Sequence, residues 1–264
     1  MKSLQEFKWL GTYFASSIGK KQLMGLCGAG LVLFLAGHLL GNLSLLKVDA
    51  VASQVTYNAY CQFLMSLKPF LYVIELGLVA LLALHAGVGI LLKLGNLKAR
   101  GARRYAVSAR KGEATPSART MFISGAIILG FLAQHLIFFK YGHYYLYRLP
   151  NGVIVRDMWL TTMETFASPG WTALYVAAFV AAGMHLVHAI PSLFRTFGLA
   201  HRKWTPLFNL AGACVGAVLA LGFAVCAAGS WALAQRDQTR SVMAKARSAQ
   251  ATLQAAQTAK EAAK

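Results

Sequence analysis

The chain has 264 residues, of which 57% are hydrophobic and only 13% are charged. Soluble domains average about 25% charged residues and have short apolar runs, so this composition argues against a soluble globular fold. The net charge of +18 does not indicate a nucleic-acid-binding protein, because the Lys and Arg residues stand in short segments beside apolar runs, where they would face anionic membrane lipid. We therefore predict an all-α membrane protein.

The apolar runs predict a surface segment followed by five membrane spans. Residues 1–19 mix aromatic and polar residues, as in an amphipathic helix that lies on the cytoplasmic surface of the membrane. Apolar runs of about 18 residues or more are long enough to cross a bilayer. Such runs occur at residues 22–46, 70–94, 120–140, 170–194 and 207–233. We assign residues 20–233 to one transmembrane domain of five helices.

The segments between and after the spans differ in composition. Residues 47–69 contain a helix-like patch, residues 95–119 are basic, and residues 141–169 form an aromatic loop. Residues 234–264 form a tail rich in Ala, Lys and Gln, which we expect to be either a polar helix or disordered, and too polar to bury a core. We therefore expect no second globular domain.

The basic residues set the predicted orientation of the chain. Residues 95–119 are strongly basic, whereas Lys47 and Lys68 are the only cations in the connection between the first two spans. The positive-inside rule places the basic connection and the N-terminus in the cytoplasm. An odd number of spans then places the C-terminus on the outer side.

Four of the spans contain a histidine well away from their ends, where an ionisable side chain is costly and usually functional. The first three spans contain His38, His85 and His135, and the fourth contains both His185 and His188. The last two are about one helical turn apart and share a helix face, so depth favours His185 only slightly.

Helix geometry sorts these histidines into two levels. Counted from the cytoplasmic ends of their spans, His38 and His135 lie roughly 25 Å deep, near the outer side. Counted from the outer ends, His85 and His185 lie at a similar depth, near the cytoplasmic side. A zinc site would need all its ligands at one level, whereas two matched pairs suit two haems, each held by two imidazoles.

The ligand set also predicts the type of haem and its chemistry. The four cysteines form no CxxCH motif, so covalent attachment is not expected and the haems would be b-type. Two imidazoles fill both axial positions of an iron, which favours electron transfer over oxygen binding. We therefore predict a five-helix bundle that encloses two stacked b haems.

Two segments resemble a known family. SSIGKKQLMGLCGAGLVLFLAGHLLGNLSLL, followed by YNAY, and MHLVHAIPSLFRTFG resemble the succinate dehydrogenase/fumarate reductase cytochrome b subunit in its single-subunit, two-haem form. The resemblance covers roughly residues 16–233. It implies that the outer haem is held by His38 and His135, and the inner haem by His85 and His185.

The resemblance also decides between the two histidines of the fourth span. In the family, a Phe/Trp–Gly pair follows the ligand by about thirteen residues, and here Phe197 and Gly198 match that ending. This spacing selects His185. His188 then matches a second histidine that some family members carry without using it as a ligand.

The resemblance implies a physiological role as well. Family members anchor a flavoprotein subunit and an iron–sulfur subunit at the cytoplasmic face of the bacterial inner membrane. They exchange electrons with a membrane quinone, usually menaquinone in the two-haem form. This chain would then be the electron-transfer and quinone-reactive subunit of a respiratory oxidoreductase, with the dicarboxylate site on a partner subunit.

Polar residues near the outer side are candidates for a quinone site. Glu75 lies inside the second span, roughly 10 Å from the outer face, where it either takes up protons during quinone turnover or makes a structural hydrogen bond. Asn42, Tyr57, Asn58 and Tyr60 are either quinone neighbours or ordinary interfacial residues.

Two other functions fit the same spans. A cytochrome b subunit of the hydrogenase or formate dehydrogenase type also uses intramembrane histidines, but lacks the SSIGKK–GH–GN segment. A haem-free membrane anchor or transporter would use these histidines as structural residues, and it predicts no haem absorbance.

Overall fold

The computed structural model describes residues 8–101 and 116–262, which are almost entirely helical. The other regular elements within these ranges are a 3-10 turn at Leu43–Leu46 and a short antiparallel hairpin, β1 (Leu146–Arg148) and β2 (Ile154–Arg156). The helices are α1 (Lys8–Ala15), α2 (Ser17–Asn42), α3 (Ala50–Ser66), α4 (Lys68–Arg100), α5 (Pro116–Phe139), α6 (Met158–Ala167), α7 (Pro169–Thr196), α8 (Thr205–Ala234), α9 (Asp237–Ser248) and α10 (Gln250–Ala262).

Five helices of the described chain, α2, α4, α5, α7 and α8, are long and apolar enough to cross a membrane. Large apolar side chains remain on their surfaces: Leu33, Leu76 and Leu221 are 76%, 71% and 65% exposed. In a soluble protein such a surface would face water at high cost, whereas lipid covers it in a membrane. The predicted all-α, multi-pass membrane class with five spans is confirmed.

The ends of the spans differ modestly from the prediction. Helix α2 begins at Ser17 rather than near residue 22, and α4 continues to Arg100 into the segment that was predicted as a basic connection. Residues 102–115 of that connection lie outside the described residues, as do residues 1–7 of the predicted N-terminal helix, and residues 116–119 belong to α5.

The chain divides into two compact units, and each contains parts of all five spans. The first unit comprises Met1–Leu35, Ile74–Ile127 and Ala181–Val218, and the second comprises Ala36–Val73, Ile128–Val180 and Leu219–Lys264. Each unit is described separately below, within the described residues.

Small residues allow the spans of the first unit to approach closely. A Cβ atom at Gly25 would lie 2.6 Å from Leu193 of α7, and one at Gly30 would lie 2.9 Å from Leu81 of α4. Any larger residue at either position would require the facing leucine side chain to move. Close approach through glycine is a common way for membrane helices to pack, because lipid supplies no hydrophobic force between them.

In the second unit, the connection between the third and fourth spans is more ordered than predicted. The sequence indicated an aromatic loop over residues 141–169, and this is wrong for the hairpin and for α6. Asp157 caps α6 by accepting a hydrogen bond from the Leu160 amide at 2.9 Å. Trp159 and Met163 of the helix are buried in a hydrophobic cluster. The cap and the buried apolar residues together account for the helix.

The tail also contributes to the second unit. It is helical, which was one of the two predicted alternatives, but the expectation that it buries no core is wrong. Met243 of α9 is only 5% exposed and belongs to the same cluster as Leu45 and Trp159. In addition, the Gln250 side chain accepts a hydrogen bond from the Leu146 amide at 2.7 Å and donates one to its carbonyl at 3.1 Å. The tail is thereby attached to β1.

Candidate functional site

The structure brings the four candidate histidines together as two pairs, one in each unit. In the second unit the ring centroids of His38 and His135 are 6.0 Å apart. In the first unit the centroids of His85 and His185 are 6.2 Å apart. The ring that faces His85 is therefore that of His185, the residue that the resemblance selects over His188.

These separations fit two imidazoles on opposite sides of one metal ion. Imidazole nitrogens bind first-row metals at about 2.0–2.1 Å, and each nitrogen lies about 1.1 Å from its ring centroid, so a bis-imidazole pair has centroids about 6.3 Å apart. Both observed separations are within a few tenths of an ångström of this value. Imidazole is also a standard axial ligand of haem iron, so the donor set fits that group.

The Nδ1 atoms of His85, His135 and His185 each lie close to an oxygen atom. The Nδ1 atom of His85 lies 2.9 Å from the Met24 carbonyl oxygen, and that of His185 lies 3.1 Å from Ser124 Oγ. The Nδ1 atom of His135 lies 3.4 Å from Tyr175 Oη. With the proton on Nδ1, each ring donates to its oxygen partner and leaves Nε2 as the ligand atom. Such outer contacts orient metal-bound histidines in general.

Glycines lie against the first pair. A Cβ atom at Gly28 of α2 would lie 3.0 Å from His85 Cε1, and one at Gly125 of α5 would lie 3.5 Å from His185 Cε1. Each imidazole thus packs directly against the backbone of a neighbouring span.

Aromatic rings surround the second pair. His135 lies 4.9 Å from Phe139 and 5.8 Å from Phe131, measured between ring centroids. His38 lies 5.8 Å from Phe223, which stacks on Phe179 at 5.2 Å. These rings make the surroundings of the second pair apolar and aromatic.

The remaining candidates have separate surroundings. Asn42 donates to the His38 carbonyl at 2.8 Å and accepts from Tyr57 Oη at 3.2 Å, which places both near the second pair. Asn58 is fully buried and donates to Asp157 at 2.8 Å, so its side chain serves the packing of α3 against α6. Glu75 is half-buried in α4, and its role stays a prediction.

Ser124 and Tyr175 were missed as site residues in the sequence. The depth calculation that paired the histidines would have found them, because Ser124 lies near the start of α5 and Tyr175 near the start of α7. Within the described ranges, His, Cys, Asp and Glu side chains form no group of three or more that would hold a metal ion. The candidate ligand sets are therefore the two histidine pairs.

No protein-family model, curated protein or solved structure matches this chain. Its function is accordingly argued from the two histidine pairs, their partners and the five spans.

Proposed function

We propose that this chain is the membrane-anchor cytochrome b subunit of a succinate:quinone oxidoreductase, with two b haems held by His38 with His135 and by His85 with His185. The observation that carries this proposal is the pair of imidazole–imidazole separations, 6.0 and 6.2 Å, on four membrane-spanning helices. The Nδ1 contacts support it, because they leave Nε2 of His85, His135 and His185 available as the ligand atom.

A haem with two imidazole ligands supplies reversible one-electron transfer. The chain's own residues would then have three tasks. The four histidines would fix the position of each haem. Met24, Ser124 and Tyr175 would fix the rotation of the His85, His185 and His135 imidazoles. The aromatic residues around His38 and His135 keep water away from one site, which favours electron transfer over side reactions.

The physiological partners are proposed from the resemblance described above. Segments 16–46 and 184–198 carry this resemblance. It pairs this chain with a flavoprotein subunit and an iron–sulfur subunit at the cytoplasmic face of a bacterial inner membrane. Electrons would pass between the iron–sulfur subunit and membrane menaquinone. Glu75 is the proposed proton-exchanging group of the quinone reaction, and the dicarboxylate chemistry belongs to the flavoprotein.

The first test is the haem content of the purified chain. A pyridine haemochrome assay with a reduced-minus-oxidised spectrum should give two haems b per chain. Fewer than two in protein produced with ample haem would overturn the two-haem proposal, and an absence of haem would favour a haem-free anchor or transporter.

The second test concerns the partners. The chain, purified under mild conditions from its own membranes, should retain a flavoprotein and an iron–sulfur protein, and the complex should reduce a menaquinone analogue with succinate or oxidise its quinol with fumarate. A hydrogenase or formate dehydrogenase subunit in their place would overturn the assignment to succinate:quinone oxidoreductase while leaving the haem ligands intact.

A further inference from the structure

The second unit contains a polar cavity that is separate from its histidine pair. The cavity has a volume of about 390 Å³ and is lined by Ala167, Ala234, Gln235, Arg240, Met243 and Arg247. It lies where α6 ends, where α8 ends and where α9 passes both. None of these residues takes part in the proposed electron transfer.

Two arginines face the cavity from one side of α9. Arg240, Met243 and Arg247 are spaced by three and four residues, so they share one face of the helix. Met243 is buried in the hydrophobic cluster, and this fixes the face that carries both guanidinium groups. The two cations are therefore brought to one cavity by the packing of the tail.

Hydrogen bonds hold the arginines in place. Arg240 Nη2 donates to Gln235 Oε1 at 2.8 Å, and Gln235 Nε2 donates to the Ala167 carbonyl at 3.3 Å. Arg247 Nε pairs with Glu164 Oε1 at 2.5 Å. The bonds to Gln235 and Glu164 each engage one nitrogen of a guanidinium group that carries several donors.

The cavity lies at the level where lipid headgroups are expected. Ala234 is the last residue of the α8 span, and Ala167 is the last residue of α6, just before the α7 span begins. Trp171 and Trp231, close to these two positions in the sequence, are 37% and 40% exposed. Partly exposed tryptophans near span ends are typical of the membrane–water interface.

We propose that this cavity binds the phosphodiester group of an anionic phospholipid. Guanidinium groups bind phosphate oxygens through paired, charge-assisted hydrogen bonds, and basic pockets beside membrane helices recognise lipid headgroups. Glu164 offsets part of the charge of the two arginines and leaves a net charge of about +1, which matches the single negative charge of a phosphodiester better than the double charge of a phosphate monoester.

Native mass spectrometry of the detergent-purified, full-length chain tests this site. Titration with phosphatidylglycerol should give one tightly held lipid per chain, whereas phosphatidylcholine should bind at least about tenfold more weakly. The variant R240Q/R247Q should lose this preference. The matched control R236Q/K245Q removes the same number of charges from the α8–α9 junction and α9 without altering the cavity lining, and it should behave as the unmodified chain does.

A third variant tests the proposal even if R240Q/R247Q does not fold. Glu164→Gln keeps both arginines and removes the competing carboxylate, so it should strengthen phosphatidylglycerol binding by about threefold. Three results would each overturn the proposal. They are equal binding of phosphatidylglycerol and phosphatidylcholine to the unmodified chain, an undiminished preference for phosphatidylglycerol in R240Q/R247Q, and unchanged or weaker phosphatidylglycerol binding in Glu164→Gln. Displacement of the lipid by millimolar glycerol phosphate or inorganic phosphate would overturn the assignment to lipid and indicate a soluble phosphate ligand.

Discussion

The two histidine pairs have nearly the same ring separation but different surroundings. Around His85 and His185 the neighbours are two glycines, a backbone carbonyl and a serine hydroxyl. Around His38 and His135 they are phenylalanines and a tyrosine. In the first pair the rings are held by specific contacts with backbone and small residues, and in the second mainly by packed aromatic surface. For the two proposed haems, equal ligands with unequal neighbours predict individually tuned properties.

Removal of one histidine from each pair should have the largest effect. His135→Ala should abolish haem binding at the second-unit pair and leave the first-unit haem in place, and His185→Ala should do the reverse. Each variant should therefore contain one haem b per chain by pyridine haemochrome assay, and the two remaining spectra should differ.

His188→Ala is the matched control for His185→Ala, because it removes an imidazole from the same helix one turn away. It should retain both haems. Loss of a haem in His188→Ala together with retention of both in His185→Ala would assign the ligand to the other histidine, in conflict with the 6.2 Å contact between His85 and His185.

Substitution of Asp157 tests whether the stability of the second unit depends on buried hydrogen bonds as well as on its aromatic rings. Its carboxylate accepts hydrogen bonds from the side chains of Gln54 and Asn58 at 2.7 and 2.8 Å. Asp157→Ala would leave buried amides without their acceptor and remove the cap of α6, so we expect a loss of about 2–4 kcal/mol of stability. Thermal unfolding should report this loss, with the haem of His38 and His135 released first.

The same residue predicts a dependence on pH. Burial raises the pKa of Asp157 above its usual value, against the opposing effect of the hydrogen bonds from Asn58, the Leu160 amide and Gln54. The folded protein then binds this proton more tightly than the unfolded chain, whose pKa is about 3.9. Stability should therefore fall as the pH rises from about 3.9 through the raised pKa of the folded state. Asp157→Asn should remove this pH dependence of stability. An unchanged stability profile in that variant would contradict the assignment of the dependence to Asp157.

The sequence predicted the features that depend on regular helix geometry. The spans follow from the thickness of the bilayer, and the pairing of His38 with His135 was expected from a constant rise per residue. Helix α6 and the packing of the tail were not predicted. Asp157 bonds to Gln54 and Asn58, which are 103 and 99 residues away in the sequence, and a local pattern contains no sign of such contacts.

Glycine substitutions test the first pair specifically. Gly28→Ala would place a methyl group 3.0 Å from His85 Cε1, which is closer than a relaxed contact, so the ring or the helix must shift. We expect a cost of about 1–2 kcal/mol, reduced by the better helix propensity of Ala, and a lower occupancy of that haem alone. The measurement is the haem-to-protein ratio after size-exclusion chromatography.

Two matched substitutions complete this test. Gly125→Ala meets His185 at an ordinary 3.5 Å, and Gly77→Ala, on the same helix as His85, meets nothing within 4 Å. Both should keep the full haem content. Equal losses in Gly28→Ala and Gly77→Ala would show that the effect does not arise from contact with His85.

The smallest expected effects concern the hydroxyl partners of Nδ1. Ser124→Ala removes an acceptor 3.1 Å from His185 Nδ1, and Tyr175→Phe removes one 3.4 Å from His135 Nδ1. Loss of an acceptor makes the imidazole a poorer donor to ferric iron, so the midpoint potential should rise. A hydrogen bond of about 1 kcal/mol corresponds to about 40 mV for one electron.

The shift should be larger in Ser124→Ala than in Tyr175→Phe, because a 3.4 Å contact is close to the limit of hydrogen bonding. Each variant should move the potential of one haem only, as measured by spectroscopic redox titration, while both haems stay bound. Tyr72→Phe, an exposed tyrosine of α4, is the control and should move neither. A shift of potential confined to Tyr175→Phe would mean that the hydrogen bond matters at the His38–His135 pair and not at the His85–His185 pair. That outcome would reverse the contrast drawn between the two sites.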